Sequence, residues 1–294
     1  MAQVPATPKL KRFGLLTLSK ILGPERASRI LSMQASERAA LTLASGSAPS
    51  VAPQRVTFMI PLVKSADVSD WDAVQTRLLT TLAGFQAQTN SNWQAFIACQ
   101  DRPQLPDDPR IHHVPFTQSG QGNDKWEKLG SLAQYLATKS LPPGFVMSFD
   151  ADDILACDAV ATMLATPAAT GHLIEKGYVK DISSGDIALA QNAFRCRPFW
   201  KLCGSCAAFR YDTYTPQFAE TLAAILQHEH RMFPYLARLS GRPLRAFNRP
   251  MALYLLNHGD NFGARRGRVG FKTRFVQRFK LTDANALKDV DERF

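Results

Sequence analysis

Between residues 55 and 150, short apolar runs alternate with longer segments whose apolar residues recur every three or four positions. Short runs rich in β-branched and aromatic residues predict buried strands, and the longer segments predict amphipathic helices. The predicted order is strand, helix, strand, strand, helix, strand, in the segments RVTFMIPLV, WDAVQTRLLTTLAGFQAQ, WQAFIACQD, RIHHVPF, NDKWEKLGSLAQYLATKS and GFVMSFD. Strands connected in this way favour an α/β fold with a mostly parallel sheet flanked by helices.

The two ends of the chain follow a different pattern. Lys9–Leu22 is a basic amphipathic stretch, and the small, polar segment SGSAPSVAPQ before Arg55 is typical of a linker. Near the other end, FKTRFVQRFKL places a Phe at every fourth residue with Lys and Arg between, which predicts a second basic amphipathic helix. We expect three parts: a basic helical N-terminal extension and linker (1–54), a central domain (55–262, with halves 55–155 and 156–262) and a basic C-terminal tail (263–294).

The net charge of +10 is concentrated at these ends. Residues 1–55 hold eight Lys/Arg against two acidic residues, and residues 262–280 hold seven Lys/Arg and no acidic residue. We expect such ends to face something anionic, and the tail suits an anionic membrane surface. The alternative is a tail helix packed on the domain with its cations in water. The nearly neutral middle lacks a basic, aromatic face, so no nucleic acid is expected as a partner.

Cysteine usage and the lack of long apolar runs bear on the compartment. Five cysteines, an odd number on a long chain, indicate reduced thiols rather than a disulfide framework. Thr17, Ser19 and Lys20 interrupt the N-terminal apolar run, so it does not resemble a signal peptide. No stretch has the 18 consecutive apolar residues typical of a membrane span. The expected location is the cytoplasm, with peripheral contact to the inner face of the membrane.

Three carboxylates crowd the end of the last predicted strand. Asp150, Asp152 and Asp153 lie together in the segment FDADDIL. Negative charges this close repel one another unless a cation shares their space, and an Asp-x-Asp spacing suits a hard divalent ion that also binds phosphate oxygens. The alternative is an Asp-rich turn that caps the following helix. Ligands bind at the carboxyl ends of parallel strands. Other predicted strands end at Asp101 and at Pro61, so these residues should meet the three carboxylates at one edge of the sheet. This convergence favours the metal site over the turn.

The stretch from Val56 to Leu155 resembles the nucleotide-sugar-binding half of GT-A glycosyltransferases, in particular the large inverting family 2. The matching segments are VTFMIPLV, LLTTLAGFQAQTNSNWQAFIACQD and FDADDIL, followed more loosely by GSCAAFR and LYLLNHGDNF. The resemblance implies a GT-A, Rossmann-like fold and a nucleotide-diphosphate sugar as donor. It implies that Asp152, with Asp150 or Asp153, binds Mn²⁺ or Mg²⁺ and that Asp150 lies near the ribose.

Several further residues are candidates for binding the nucleotide. Pro61 ends the first predicted strand, and the resemblance implies that Asp101 accepts a hydrogen bond from the base or ribose. The family usually has a paired Asp followed by Gly-Ser there, whereas this chain has Asp101 alone in CQDRP. Lys125 and Lys128 open a helix near the same face and are candidate nucleotide contacts; a solvated first turn is the alternative.

Glycosyl transfer also needs a base, because an alcohol is a poor nucleophile until its proton is removed. The family tends to show a Glu-Asp pair ahead of a Gly-Arg. Counting back from Gly241, that pair falls on Glu229 and His230, so the Glu is retained and the Asp is replaced. Glu229 is the candidate base, with His230 or His228 behind it. The alternative is a polar, exposed turn of an amphipathic helix.

Three residues near the C-terminus complete the candidate site. His258 is a candidate third metal ligand or diphosphate contact, since imidazole suits Mn²⁺ better than Mg²⁺. Arg265 and Arg266 are candidates to clamp the diphosphate. The alternatives are a structural His in a Gly-Asp turn and two arginines that merely begin the basic tail.

The sequence therefore predicts a metal-dependent, hexosyltransferase-like enzyme. It would move a sugar from a nucleotide-diphosphate sugar, with inversion, to a hydroxyl of a glycan or lipid-linked acceptor; the resemblance suggests bacterial surface glycan synthesis. A nucleotidyltransferase is one alternative, but it would need a Gly-rich loop after the first strand, and PLVKSADVSDWD has no glycine. The other alternative is a polyanion- or membrane-binding protein without catalysis, whose binding would depend on salt and not on a metal.

Overall fold

The computed structural model of the protein describes residues 3–46, 51–117, 123–165, 170–211, 218–258 and 269–294. The strands are β1 Arg55–Pro61, β2 Trp93–Cys99, β3 Ile111–Pro115, β4 Gly144–Ser148, β5 Asp153–Leu155, β6 His172–Leu173, β7 Gly177–Asp181, β8 Ile187–Ala190, β9 Ala207–Tyr211, β10 Arg245–Ala246 and β11 Ala252–Leu256. The helices are α1 Lys9–Leu22, α2 Pro24–Ile30, α3 Ala35–Ala44, α4 Trp71–Gln86, α5 Lys125–Ala137, α6 Ala159–Ala165, α7 Phe218–Leu226, α8 Phe233–Leu239, α9 Val269–Arg278 and α10 Ala284–Arg293.

A seven-stranded sheet in the order β10-β6-β9-β4-β1-β2-β3 forms the centre of the fold. Strand β1 pairs in parallel with β2 and β4, and β2 pairs in parallel with β3. Strand β9, by contrast, runs antiparallel to both β4 and β6. The prediction of an α/β fold is confirmed, and its parallel sheet is confirmed for β3, β2, β1 and β4. Beyond β4 the sheet is mixed.

The strand order reverses between β1 and β4. From β1 the chain proceeds outward to β2 and β3, then returns to the other side of β1 to form β4. Just beyond these strands the backbone N–H of Phe149 donates to the carbonyl of Met59 at 2.9 Å, which keeps the two carboxyl ends side by side. In open sheets, such a reversal leaves a crevice at the carboxyl ends of the strands, where ligands bind. Pro61 and Asp150 both lie at this edge.

Aromatic rings fill the core beneath this edge. The rings of Phe58 and Phe85 stack at 4.1 Å between centroids, and Phe149 meets Phe85 edge to face at 5.2 Å. Pairs of this kind contribute about 0.5–1.5 kcal/mol beyond the area they bury. Because Phe149 directly precedes Asp150, its burial fixes the start of the acidic segment to the core.

A second, four-stranded sheet in the order β5-β11-β7-β8 follows the acidic segment, and the sequence did not predict it. Asp153 is the first residue of β5 and lies opposite Tyr254 of β11 in an antiparallel pair. On its other side, the hydroxyl of Thr81 in α4 donates to the carbonyl oxygen of Asp153 at 2.8 Å. The acidic segment is therefore fixed by both sheets and by α4.

The N-terminal helices pack against the central domain. Glu37 of α3 is fully buried, and its carboxylate accepts hydrogen bonds from the hydroxyls of Thr7 and Tyr235 and from the backbone N–H of Gln34. A buried carboxylate is stable only when several donors satisfy it. Since Tyr235 belongs to α8, this network fastens the N-terminal extension to the central domain.

Helix α9 of the basic tail packs on the domain through part of its apolar stripe. Phe275 and Val276 are buried, whereas Phe271 remains partly exposed, with the Arg197 guanidinium 4.5 Å from its ring centroid. Of the two predictions for the tail, a helix packed on the domain therefore fits α9 better than a helix lying on a membrane. Among the described residues, no helix is both long and apolar enough to cross a membrane.

Candidate active site

The acidic segment brings three carboxylates together at the edge where the strand order reverses. One oxygen of each of Asp150, Asp152 and Asp153 lies within 4.8 Å of the others. The turn is built from local hydrogen bonds: the N–H of Asp150 donates to the Ser205 hydroxyl at 2.8 Å, and the N–H of Asp153 donates to the carbonyl of Asp150. The segment is thus folded so that its side chains converge rather than spread into solvent.

Asp153 is the buried member of the cluster. Its Oδ2 accepts hydrogen bonds from the hydroxyl of Ser205 at 2.5 Å and from the thiol of Cys203 at 3.0 Å. Its Oδ1 is buried and, within the described part of the chain, has no hydrogen-bond partner. Burial, followed by the charges of Asp152 and Asp150, raises the pKa of Asp153 well above its usual value. A buried carboxylate oxygen without a donor is costly unless a cation or a proton satisfies it.

Asp150 forms an ion pair with Lys125, the first residue of α5. The ammonium lies 2.5 Å from the carboxylate Oδ1. Burial alone would lower the pKa of Lys125, but the charge of Asp150 and its hydrogen bond outweigh burial and raise the pKa. Gly204 packs closely against this ion pair: a Cβ there would stand 3.2 Å from the carboxylate and 3.5 Å from the ammonium.

Asp152 pairs with His258, which lies just beyond the end of β11. The imidazole Nε2 lies 2.8 Å from the carboxylate Oδ2. The two residues are far apart in the sequence, and the antiparallel pairing of β11 with β5 brings them together. Two of the residues that the sequence nominated as metal ligands therefore contact each other directly.

A second ammonium group faces the cluster from the tail. Lys272 of α9 donates to the hydroxyl of Tyr254 at 2.8 Å. Burial lowers the pKa of Lys272 although the nearby acidic groups oppose that effect, and burial followed by the charge of Asp152 raises the pKa of Tyr254. Sequence reasoning missed both residues. Tyr254 is part of the segment LYLLNHGDNF that carried the resemblance, but no local pattern distinguishes Lys272 from the other cations of the tail.

These groups line a cleft of about 970 Å³. One wall is apolar and follows β1, with Pro61, Val63 and Val68 among its residues. Glu229 and His230 also line the cleft. A cleft of this size, with one apolar wall and a few converging polar groups, is typical of a site for a small organic ligand.

The three candidates for the base differ in their surroundings. Glu229 lies 3.5 Å from the Arg231 guanidinium and remains partly open to the cleft. The imidazole of His230 has a buried Nε2 that has no partner among the described residues. Burial, followed by the charges of Lys125 and Lys272, lowers the pKa of His230 to about 3. His230 is therefore neutral near pH 7, whereas His228 is buried against the hydroxyl of Ser36.

Two nominated nucleotide contacts, Lys128 and Asp101, bind groups of the protein and are not among the residues that line the cleft. Lys128 is fully buried, and its ammonium binds the carbonyl of Leu62 at 2.6 Å and the carboxylate of Asp124 at 3.0 Å. Asp101 accepts a hydrogen bond from the backbone N–H of Ser65 at 2.8 Å, and this bond lowers its pKa. Both side chains stabilise the loop after β1 instead of lining the cleft.

The predicted diphosphate clamp lies outside the described residues. Arg265 and Arg266 fall in 259–268, between β11 and α9. Their role stays a prediction from the sequence.

The residues of the acidic cluster fit a divalent cation. Asp150, Asp152 and Asp153 supply oxygen ligands, the type that Mg²⁺ and Mn²⁺ prefer. The buried, unpartnered Oδ1 of Asp153 is the observation that such an ion would explain. His258 adjoins the cluster through Asp152.

Comparisons with known proteins leave the family of this chain open. No family model matches the chain. No curated protein matches it either. Among solved structures, it is similar to the glycosyltransferase GlyE of Streptococcus pneumoniae TIGR4, with a TM-score of 0.35 and 14% sequence identity. The match covers 77% of this chain and 51% of that structure, so the chain spans about half the length of its structural neighbour. A similarity this low identifies neither the fold family nor an activity.

Proposed function

We propose that the protein is a GT-A glycosyltransferase that transfers a sugar from a nucleotide-diphosphate sugar to a hydroxyl acceptor with inversion. The observation that carries this proposal is the position of Asp150, Asp152 and Asp153. They converge where the strand order reverses, and the first two border a cleft of about 970 Å³. Acidic ligands at that edge suit a divalent ion that binds phosphate oxygens. The resemblance of the segment FDADDIL to the Asp-x-Asp motif of family 2 adds to this reading.

Asp150, Asp152 and Asp153 would hold Mn²⁺ or Mg²⁺, with His258 beside Asp152. When bound, such an ion supplies positive charge that stabilises the negative charge developing on a leaving diphosphate. His258, whose imidazole Nε2 lies 2.8 Å from Asp152 Oδ2, would orient that carboxylate toward the ion. Side chains of the protein would bind the donor and remove the acceptor proton.

The donor would lie along the wall built by β1 and α5. The apolar surface at Pro61 and Val68 suits the flat face of a nucleobase, and Asp150 would accept a hydrogen bond from the ribose. Lys125 and Lys272 both line the cleft and supply ammonium groups for phosphate oxygens. Asp101 and Lys128 would act indirectly, by ordering the loop after β1.

Glu229 would act as the base for the acceptor. As its carboxylate takes the hydroxyl proton, the acceptor oxygen forms a bond to the anomeric carbon, and the bond from that carbon to the diphosphate breaks with its electron pair. The neutral imidazole of His230, whose pKa is lowered by burial and by the charges of Lys125 and Lys272, would orient the reacting groups rather than take the proton.

The acceptor would be a glycan or a lipid-linked sugar, and the enzyme would work in the cytoplasm at the inner face of the membrane. The resemblance to family 2 supports a role in bacterial surface glycan synthesis. Arg265 and Arg266 would contact the diphosphate, as the sequence predicts.

Calorimetry tests the donor site. UDP and GDP are titrated into the protein with and without Mn²⁺, and at least one of them should bind only with the metal. The variant Asp152→Ala should abolish this binding, while Asp107→Ala, at an exposed position away from the cluster, should retain it. Absence of binding for any nucleotide under both conditions would refute the proposal. A scan of nucleotide sugars for thermal stabilisation then identifies the donor.

A further inference from the structure

We propose that the outward face of helix α1 is a docking surface for an anionic lipid bilayer. Four apolar side chains on this helix are exposed to solvent: Leu10 by 87%, Phe13 by 71%, Leu18 by 40% and Ile21 by 72%. Large exposed apolar side chains that cluster on one element mark an interaction site far more often than the single ones scattered over any surface.

These four side chains form one stripe. At 3.6 residues per turn, positions 10, 13, 18 and 21 lie within an arc of about 140° on the helix. The opposite side of α1 attaches the helix to the protein. Leu15 is buried there, and the Arg12 guanidinium lies 5.8 Å from the ring centroid of Tyr235 in α8. The helix is therefore held in place by one face while its apolar stripe faces outward.

The lysines beside the stripe favour an anionic lipid surface as its partner. Lys9 and Lys20 flank one margin and Lys11 flanks the other, and all three are exposed. No Asp or Glu occurs in the first 24 residues. Apolar side chains bordered by lysines match the boundary between acyl chains and anionic headgroups, where each lysine adds attraction and its long stem reaches back to the headgroups.

A second copy of this chain is a poorer partner for the same surface. A symmetric contact would place the stripe of one chain on the stripe of the other and bring the lysines of both margins together. With no acidic residue on α1, nothing on the helix offsets that repulsion. Helix α9, the other basic amphipathic helix, buries Phe275 against the domain and is therefore not equivalent.

The surface lies close to the cleft along the chain. Gln3 lines the cleft, and the N–H of Val4 donates to the carbonyl of Gln227 at 3.0 Å, two residues before Glu229. Five residues separate Gln3 from Lys9, the first residue of α1, a span of about 22 Å at most. A bilayer bound to α1 would thus lie near the wall of the cleft that carries Glu229. The lipid binding itself does not depend on the proposed enzymatic activity.

Vesicle sedimentation tests this inference with the full chain. The protein is mixed with vesicles of phosphatidylcholine alone or with phosphatidylglycerol added, and only the anionic vesicles should bind it. The triple variant L10S/F13S/I21S should lose binding, while Phe194→Ser, which removes a ring that is 88% exposed elsewhere, should keep it. The charge variant K9Q/K11Q/K20Q should bind on the order of a hundredfold more weakly. Since all these side chains are exposed, circular dichroism and melting should show unchanged folding.

The other outcomes each overturn the inference. If the unchanged protein does not bind anionic vesicles, α1 is not a lipid-binding surface. If it binds neutral vesicles equally well, the lysines do not select anionic lipid. Full binding by the triple variant would show that the lipid-binding site is not the apolar stripe of α1. If light scattering showed a dimer that the triple variant dissociates, without lipid binding, the partner would be a second copy. Calorimetry with nucleotides remains a separate measurement, so failure here and failure of the donor site are distinguishable.

Discussion

The ammonium of Lys125 lies 2.5 Å from a carboxylate oxygen of Asp150 at the edge of the cleft. Lys125 opens α5 and Asp150 follows β4, so the ion pair joins two elements that meet where the strand order reverses. It introduces one positive charge into a cluster of three carboxylates. The cluster is therefore partly neutralised by the protein itself, and a divalent ion and this ammonium compete for Asp150.

Removing that ammonium should separate metal binding from nucleotide binding. In Lys125→Met, we expect Mn²⁺ alone to bind up to about tenfold more tightly, because a cation repels it at short range. Binding of the nucleotide in the presence of Mn²⁺ should weaken, since a phosphate contact is lost. Calorimetry with Mn²⁺ alone and with Mn²⁺ and nucleotide measures both effects. Lys139→Met, just beyond the other end of α5, is the matched control; equal Mn²⁺ affinity in both variants would contradict the prediction.

Glu229 should matter for turnover and not for donor binding. We expect Glu229→Gln to reduce turnover by about 10²- to 10⁴-fold, the usual contribution of a general base, while nucleotide affinity stays within about twofold. Glu220→Gln, at an exposed position of α7, should leave both unchanged. The measurement is transfer or donor hydrolysis, once the donor is known, alongside calorimetry. Full activity in Glu229→Gln would assign the base to another residue.

The buried ammonium of Lys128 should contribute to stability. In Lys128→Met, the carboxylate of Asp124 and the carbonyl of Leu62 each lose a donor, which should lower the free energy of unfolding by about 2–4 kcal/mol. Urea denaturation measures the loss. The double variant K128M/D124N should recover part of it because no uncompensated charge remains. Lys139→Met again serves as the control, and a similar midpoint for the two single variants would show that the buried pair is dispensable.

His172 should make the protein less stable in mild acid. Its ring stacks on Phe247 and meets Phe145 edge to face, and burial lowers its pKa to about 4. An unfolded His has a pKa near 6.5, so between pH 6.5 and 4 the unfolded chain binds a proton that the folded chain does not. The contribution of His172 to the free energy of unfolding is therefore fully present above pH 6.5. It falls toward pH 4, by roughly 2–4 kcal/mol.

Replacing this imidazole by a ring that does not titrate tests the point. His172→Phe should flatten the dependence of the melting temperature on pH between 6.5 and 4, whatever its effect at neutral pH. Melting curves over this pH range, with the unchanged protein in parallel, give the comparison. An unchanged slope in His172→Phe would assign the acid sensitivity to other groups.

Local patterns were sufficient for much of the central sheet. The apolar runs of β1, β2, β3 and β4 and the helical spacing of α4 were recognisable in the chain, because burial on a sheet or a helix face leaves a period that survives in sequence. The second sheet was not recognised, and the segment of β9 was matched only through the resemblance of GSCAAFR, without its antiparallel direction. Their strands are short, and their direction depends on partners far away in the chain, which no local period records.

The candidate site, too, was predicted from the sequence only in part. The sequence by itself determined that Asp150, Asp152 and Asp153 end a buried strand, and adjacency in the chain is enough to crowd their charges. Only the tertiary structure decided that Lys272 and Tyr254 face them, and that Lys128 turns inward, away from the cleft. The reason is physical: which cation meets which carboxylate depends on how distant elements pack and on the desolvation that this packing imposes, and neither is a property of neighbouring residues.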